Sequence, residues 1–174
     1  RALGPFTTVL FGHEQGKYPD GNSVLVRGTT TSVLIDPSLS VHAAVPAIEV
    51  DQVLLTHAHE DHMAGLSAVR AERVSVHHRD LPALQSIDGL MALYGIPAEG
   101  VAGMTQLVTE RFHYQGWPAA TGFDGDAQWD LGGVTVRAIH TPGHASNHLC
   151  FLLEEEQLLF TGDHLMQGST VVIN

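Results

Sequence analysis

Three imidazoles and the carboxylate of Asp61 crowd into the stretch Thr56-His57-Ala58-His59-Glu60-Asp61-His62. Imidazole nitrogen and carboxylate oxygen are donors that divalent zinc accepts at about 2.0–2.2 Å. A closed structural zinc site normally takes four ligands, often cysteines, and this chain has a single cysteine, Cys150. The favoured reading is therefore an open site that keeps a position for water or substrate. A solvated polar loop is the competing reading, and it loses ground because two pieces of the same kind follow downstream. In His140-Thr141-Pro142-Gly143-His144, the Pro-Gly pair forces a sharp turn that leaves His144 projecting. In Thr161-Gly162-Asp163, a glycine turn again precedes an exposed carboxylate.

Such side chains can meet only if rigid elements aim them at one point. The run Val53-Leu54-Leu55 is apolar without alternation, as in a strand buried on both faces, and it leads straight into the histidine cluster. Residues 134–139 lead into the His144 turn and residues 158–161 into the Asp163 turn, both as expected strands. Further strands are expected over residues 6–11, 23–27, 32–35, 74–76 and 149–153, and a short helix over residues 63–71. Leu84, Ile87, Leu90, Met91 and Tyr94 recur at three- and four-residue steps, which predicts a helix interrupted near Gly89. A second helix is expected over residues 98–109, with Val101, Met104, Leu107 and Val108 on one face. We read this pair as a helical insert spanning about residues 81–111. A Gly- and Pro-rich loop follows it. No repeat or linker divides the 174 residues, so a single α/β unit is expected.

The three pieces together, H-x-H-x-D-H, then Gly-His after a strand, then Asp after another strand, resemble the metallo-β-lactamase superfamily of metallohydrolases. The resemblance covers most of the chain. It implies an αββα four-layer sandwich (α/β, or α+β) with metal ions at one edge of the sheets. Matched residue by residue, it places His57, His59 and His144 on the first ion. Asp61 and His62 fall on the second, and Asp163 falls on the carboxylate that bridges both. Asp36 stands where the family keeps a supporting polar residue; before Pro37 it could equally cap a turn. The family's last ligand, a histidine well beyond the bridging Asp, has no counterpart before Asn174. The chain begins with Arg1 and stops inside the apolar run from Thr170 to Asn174. The natural protein is therefore expected to continue, with residues 170–173 opening a further strand and the second ion held less tightly than the first.

Other features bound the function. Eight Lys and Arg against 19 Asp and Glu give a formal net charge of -11, which argues against a partner held by its phosphate backbone. No apolar run approaches the roughly 18 residues of a membrane span. Low cysteine use and the lack of a secretory signal point to the cytoplasm. Of the 12 histidines, His13, His42, His77, His78, His113 and His140 read as surface or satisfied buried groups. His148 and His164 read as packing or supporting groups. The resemblance implies zinc, with up to two ions, although iron or manganese would suit similar ligands. It further implies a small-molecule substrate whose ester, thioester, lactone or related bond is cleaved by a metal-bound hydroxide. Asp61 would orient that nucleophile and then receive a proton. Two alternatives stay open: an iron dioxygenase or di-iron oxidoreductase of the same superfamily, and a non-catalytic fragment. The insert is expected to cover the metal site and set substrate size.

Overall fold

A computed structural model describes residues 1–166. Six strands form the first sheet: β1 (Thr7–Leu10), β2 (Ser23–Arg27), β3 (Ser32–Ile35), β4 (Glu49–Leu54), β5 (Arg70–His77) and β6 (Thr121–Phe123). They lie side by side in chain order, antiparallel from β1 to β3 and parallel from β3 to β6. The second sheet holds β7 (Gln128–Asp130), β8 (Thr135–His140), β9 (Leu149–Leu153) and β10 (Leu158–Phe160), all antiparallel.

The layering follows from which side chains each strand turns each way. Val33, Ile35 and Leu54 point toward Val136, Ala138, Phe151 and Leu153 of the second sheet and make the core between the sheets. Their neighbours Leu34, Val53 and Leu55 point the other way, into a second core. Helices α1 (Leu39–His42), α2 (Glu60–Met63), α3 (Leu81–Gln85), α4 (Ile87–Leu93) and α5 (Ala98–Phe112) lie over that second face. They bury Val41, Met63, Leu84, Leu90 and Val108 there. Residues 33–35 of β3 and residues 53–55 at the end of β4 are apolar without a break because both of their faces are covered. Three layers, helices then sheet then sheet, are thus in place. No helix among the described residues covers the outer face of the second sheet. The strand expected over residues 170–173 lies outside the described residues.

Several expectations shift. The helix expected over residues 63–71 is instead α2, which begins at Glu60, followed by a single 3-10 turn at Leu66–Ala68. Strand β5 already starts at Arg70, because its first half pairs with β4 (Glu49 opposite Arg70) while facing solvent. The interruption predicted near Gly89 falls at Ser86, whose hydroxyl accepts from the Gly89 N–H and starts α4. Gly89 lies inside that helix because a β-carbon there would come within 2.0 Å of the Pro82 carbonyl oxygen. Leu107 lies at the surface rather than on the buried face of α5. The expected Gly- and Pro-rich loop contains β6 and β7, each three residues long and defined by pairing rather than by apolar pattern.

Phe151 is fully buried between the sheets and packs near Phe123 and Trp129. Truncating a buried aromatic removes its burial energy and leaves a cavity. We expect Phe151→Ala to lower stability by about 3–5 kcal/mol, read as a lower urea midpoint. An unchanged midpoint would show that the two sheets do not depend on this contact.

Candidate metal centre

The sheets end together at one edge, and three strand ends deliver the side chains. β4 runs through Leu55 and Thr56 into His57 and His59, and α2 then presents Asp61 and His62. β8 leads to His144. β10 leads to Asp163 through Gly162, which has a left-handed φ of 46° and little room for a side chain. A β-carbon on Gly162 would come within 2.7 Å of His148 Nε2 and 2.9 Å of Thr56 Oγ1. Only glycine lets this turn close against the loop that carries His57.

Two tight groups of donors result. One ligand atom from each of His57, His59 and His144 lies within 4.8 Å of the other two, and the same holds for His57, His62 and Asp163. His144 Nε2 stands 3.1 Å from His59 Nδ1. The Asp163 carboxylate spans the groups, with Oδ1 3.3 Å from His62 Nε2 and Oδ2 3.6 Å from His144 Nε2. Asp61 belongs to neither tight group; its Oδ2 is 3.8 Å from His62 Nε2, and it lines the adjoining cavity. All six residues singled out in the sequence therefore gather at one place, with Asp61 at the rim.

Hydrogen bonds set which ring nitrogens face inward. Asp36, buried at the end of β3 with a left-handed φ of 49°, accepts from the Thr56 N–H (2.8 Å) and the Thr56 hydroxyl (2.7 Å). Because the Thr56 hydroxyl donates to Asp36, its oxygen is left to accept from His57 Nδ1 at 3.0 Å. That assigns the lone pair of His57 to Nε2, a fully buried atom with no hydrogen-bond partner among the described residues. Leaving such an atom unsatisfied is costly, and a metal ion is the partner its position fits. Asp36 also faces His62 Nδ1 at 2.9 Å, turning His62 Nε2 toward Asp163. Of the two readings open for Asp36, it orients these histidines. His148 is a supporting group too: Nδ1 meets the Thr141 hydroxyl at 3.0 Å, and Nε2 accepts from the Asp163 backbone N–H at 3.2 Å.

Protonation follows these surroundings. Burial, reinforced by the neighbouring imidazoles, holds His57 well below the ordinary histidine range and His59 at about 4. Both therefore present neutral rings, the form that ligates metal. Burial alone would lower His62 as well, but the carboxylates of Asp61, Asp36 and Asp163 outweigh it and raise the ring well above its usual value. Burial alone would raise Asp163, yet its bond to His62 and the nearby imidazoles bring it down to about 2.

A cavity of about 710 Å³ opens beside these groups. Its near wall is His59, Asp61, His144 and Asp163, and its far wall is Leu93, Tyr94, Ile96 and Met104 from α4, α5 and their connection. By helical spacing, Met91, Tyr94, Met104 and Phe112 read as core of the insert rather than as the lining of a pocket. Met91 and Phe112 are buried in the core, whereas Tyr94 and Met104 face the cavity. Tyr94 reaches the histidine loop directly, donating to Glu60 Oε2 (2.5 Å) and accepting from the Glu60 N–H (3.1 Å). The sequence gives no sign of the buried pair Asp80 and Asn147: Asn147 lies three residues beyond His144, but Asp80 is far along the chain from every ligand motif. His77 stacks between His78 and His140, and none of the three belongs to either donor group among the described residues.

Comparison with known proteins agrees with this geometry. The profile of the metallo-beta-lactamase superfamily matches residues 18–174. The chain is 32% identical over 157 residues to thioesterase pkgB of Emericella nidulans, covering 83% of this chain and 36% of that protein. It is 27% identical over 182 residues to an atrochrysone carboxyl ACP thioesterase of Cryptosporiopsis sp., covering 98% of this chain and 47% of that protein. The chain thus spans less than half the length of these two curated relatives. Among solved structures, an archaeal metallo-beta-lactamase superfamily protein from Sulfolobus tokodaii superposes with a TM-score of 0.63 at 28% identity. That match covers 91% of this chain and 63% of the archaeal one. A profile match over nearly the whole chain, on a fold whose strand ends gather the same histidines and aspartates, leaves one conclusion: the chain belongs to the metallo-beta-lactamase superfamily.

Proposed function

We propose that this chain carries the active site of a metal-dependent hydrolase that cleaves a thioester or ester bond of a small acyl substrate. The observation that carries the reading is His57 Nε2, a buried lone pair with no hydrogen-bond partner among the described residues, at the meeting point of two donor groups. His57, His59 and His144 would hold a first ion; His62, Asp61 and Asp163 would hold a second, with Asp163 shared. Zinc is the ion that three imidazole nitrogens and a carboxylate favour. When bound, such an ion supplies Lewis-acid polarisation of a carbonyl oxygen and acidifies water.

The chain's own residues do the remaining work. Asp61 would orient the attacking water and pass its proton toward the leaving group, a role supported by its place in the wall of the cavity. Leu93, Ile96 and Met104 offer an apolar wall for an acyl group, and Tyr94 pins that wall to the ligand loop through Glu60. The helical insert, about residues 81–111, thereby sets which acyl groups fit. The thioesterase relatives support this choice of bond. No described helix is long and apolar enough to cross a membrane.

The direct test is release of thiol from a panel of acyl thioesters by the metal-loaded protein, with and without a chelator. Activity should vanish on chelation and return with zinc; hydrolysis that survives full metal removal would refute the proposal. His57→Ala and His144→Ala should each abolish turnover and lower metal content, while His77→Ala should change neither. Loss of metal in His77→Ala to the same extent as in His144→Ala would overturn the ligand assignment.

The insert gives a separate expectation. Met104→Trp should fill part of the cavity and shift preference toward shorter acyl chains, with metal content unchanged. Identical kinetics across chain lengths would show that the acyl group binds elsewhere.

A further inference from the structure

Asp80 is a buried carboxylate, 2% exposed, on the turn between β5 and α3, and the reaction outlined above has no use for it. Its position is unusual because it touches both loops that carry the first group of histidines. Oδ1 accepts from Asn147 Nδ2 at 2.7 Å, and Asn147, itself buried, lies three residues beyond His144. The backbone N–H of Ala58, the residue between His57 and His59, is also directed at the carboxylate. Among the described residues Oδ2 has no hydrogen bond of full geometry, so the Asn147 amide is the contact that most offsets the cost of burying this group. Burial raises the pKa of Asp80, and the Asn147 amide is the largest influence opposing that rise.

Nothing in the packing of the fold demands a carboxylate here. The apolar cores account for the helices and the sheets, and a buried pair of this kind is a costly way to fill space. What the pair does accomplish is geometric. His59 and His144 come from chain segments 85 residues apart, yet their ring nitrogens stand 3.1 Å from each other. The Asp80–Asn147 bond joins the segments that bear them.

We infer that Asp80 is a positioning residue, which clamps the Ala58 and Asn147 loops together and so sets the separation of His59 and His144. The inference rests on the reading of these histidines as metal ligands. Asp36 orients His57 and His62, and Asp80 fixes the register of His59 against His144. Groups that orient ligands in this way typically change metal affinity or activity by about 10- to 100-fold when lost.

The test uses the full chain loaded with cobalt(II), whose visible absorption reports ligand geometry. Asn147→Asp places two carboxylates face to face. It should alter the cobalt spectrum, weaken cobalt binding and reduce kcat, each of the last two by about 10- to 100-fold, with KM little changed. Adding Asp80→Asn reverses the pair, restores one donor opposite one acceptor, and should recover the spectrum and most of the lost affinity and kcat. An unaltered spectrum and affinity in Asn147→Asp, or a double variant no better than the single one, would overturn the inference. Should Asn147→Asp fail to fold, Asn147→Ala reads the same contact: an altered cobalt spectrum supports the clamp and a wild-type spectrum refutes it. Failure of the underlying metal reading is distinguishable, because the unsubstituted protein would then bind no cobalt.

Discussion

The site depends on one buried carboxylate. Asp36 accepts from the Thr56 backbone and hydroxyl and faces the His62 ring, and through Thr56 it also determines which nitrogen of His57 carries the proton. A histidine can ligate a metal only through a nitrogen that carries no proton, so this relay decides whether the inward-facing atoms are donors or ligands. Asp36 can occupy that position because the chain turns sharply at the end of β3, in a conformation that aspartate tolerates better than most residues. Its cost is compensated locally: each carboxylate oxygen is matched by an N–H or O–H at hydrogen-bond distance.

The two sheets make the relay meaningful by holding its parts still. Apolar side chains fill the space between them and also beneath the helices, so β3 and β4 are clamped on both faces. Strands fixed in this way end at defined points, and the polar residues just past those ends converge. β9 adds a direct tie, since the Leu149 N–H donates to the Thr56 carbonyl across the gap between the sheets. The site therefore needs no loop of its own to fold independently. The same argument explains why the cavity wall comes from the α4–α5 region, which packs on the helical face and reaches the ligand loop through Tyr94 and Glu60.

Much of this was legible in the sequence, and what was legible shares a cause. The donors of His57, His59, Asp61 and His62 are close in sequence, and the turn residues ahead of His144 and Asp163 announce themselves through Pro and Gly. Strands β2, β3 and β9 matched expectation because each holds a run of at least three apolar residues with turn residues nearby. What escaped depends on distant partners. β6 is a strand because Thr121 meets Ser75, and nothing within Thr121–Phe123 requires it. The first half of β5 faces solvent and carries charge, so apolar pattern is silent there. Asp80 and Asn147 are 67 residues apart and take their meaning only from each other. Tyr94 reads as a core aromatic by helical spacing, because spacing marks a face and not what lies opposite it.

The central claim is that the strand ends at this sheet edge form a metal centre around His57. Crystallisation of the zinc-loaded chain, with anomalous data on both sides of the zinc absorption edge, tests that claim most directly. The account requires a zinc peak bonded to His57 Nε2 and shared with His59 and His144. Zinc bound instead at the His77, His78 and His140 stack, with His57 Nε2 still unpartnered, would contradict it.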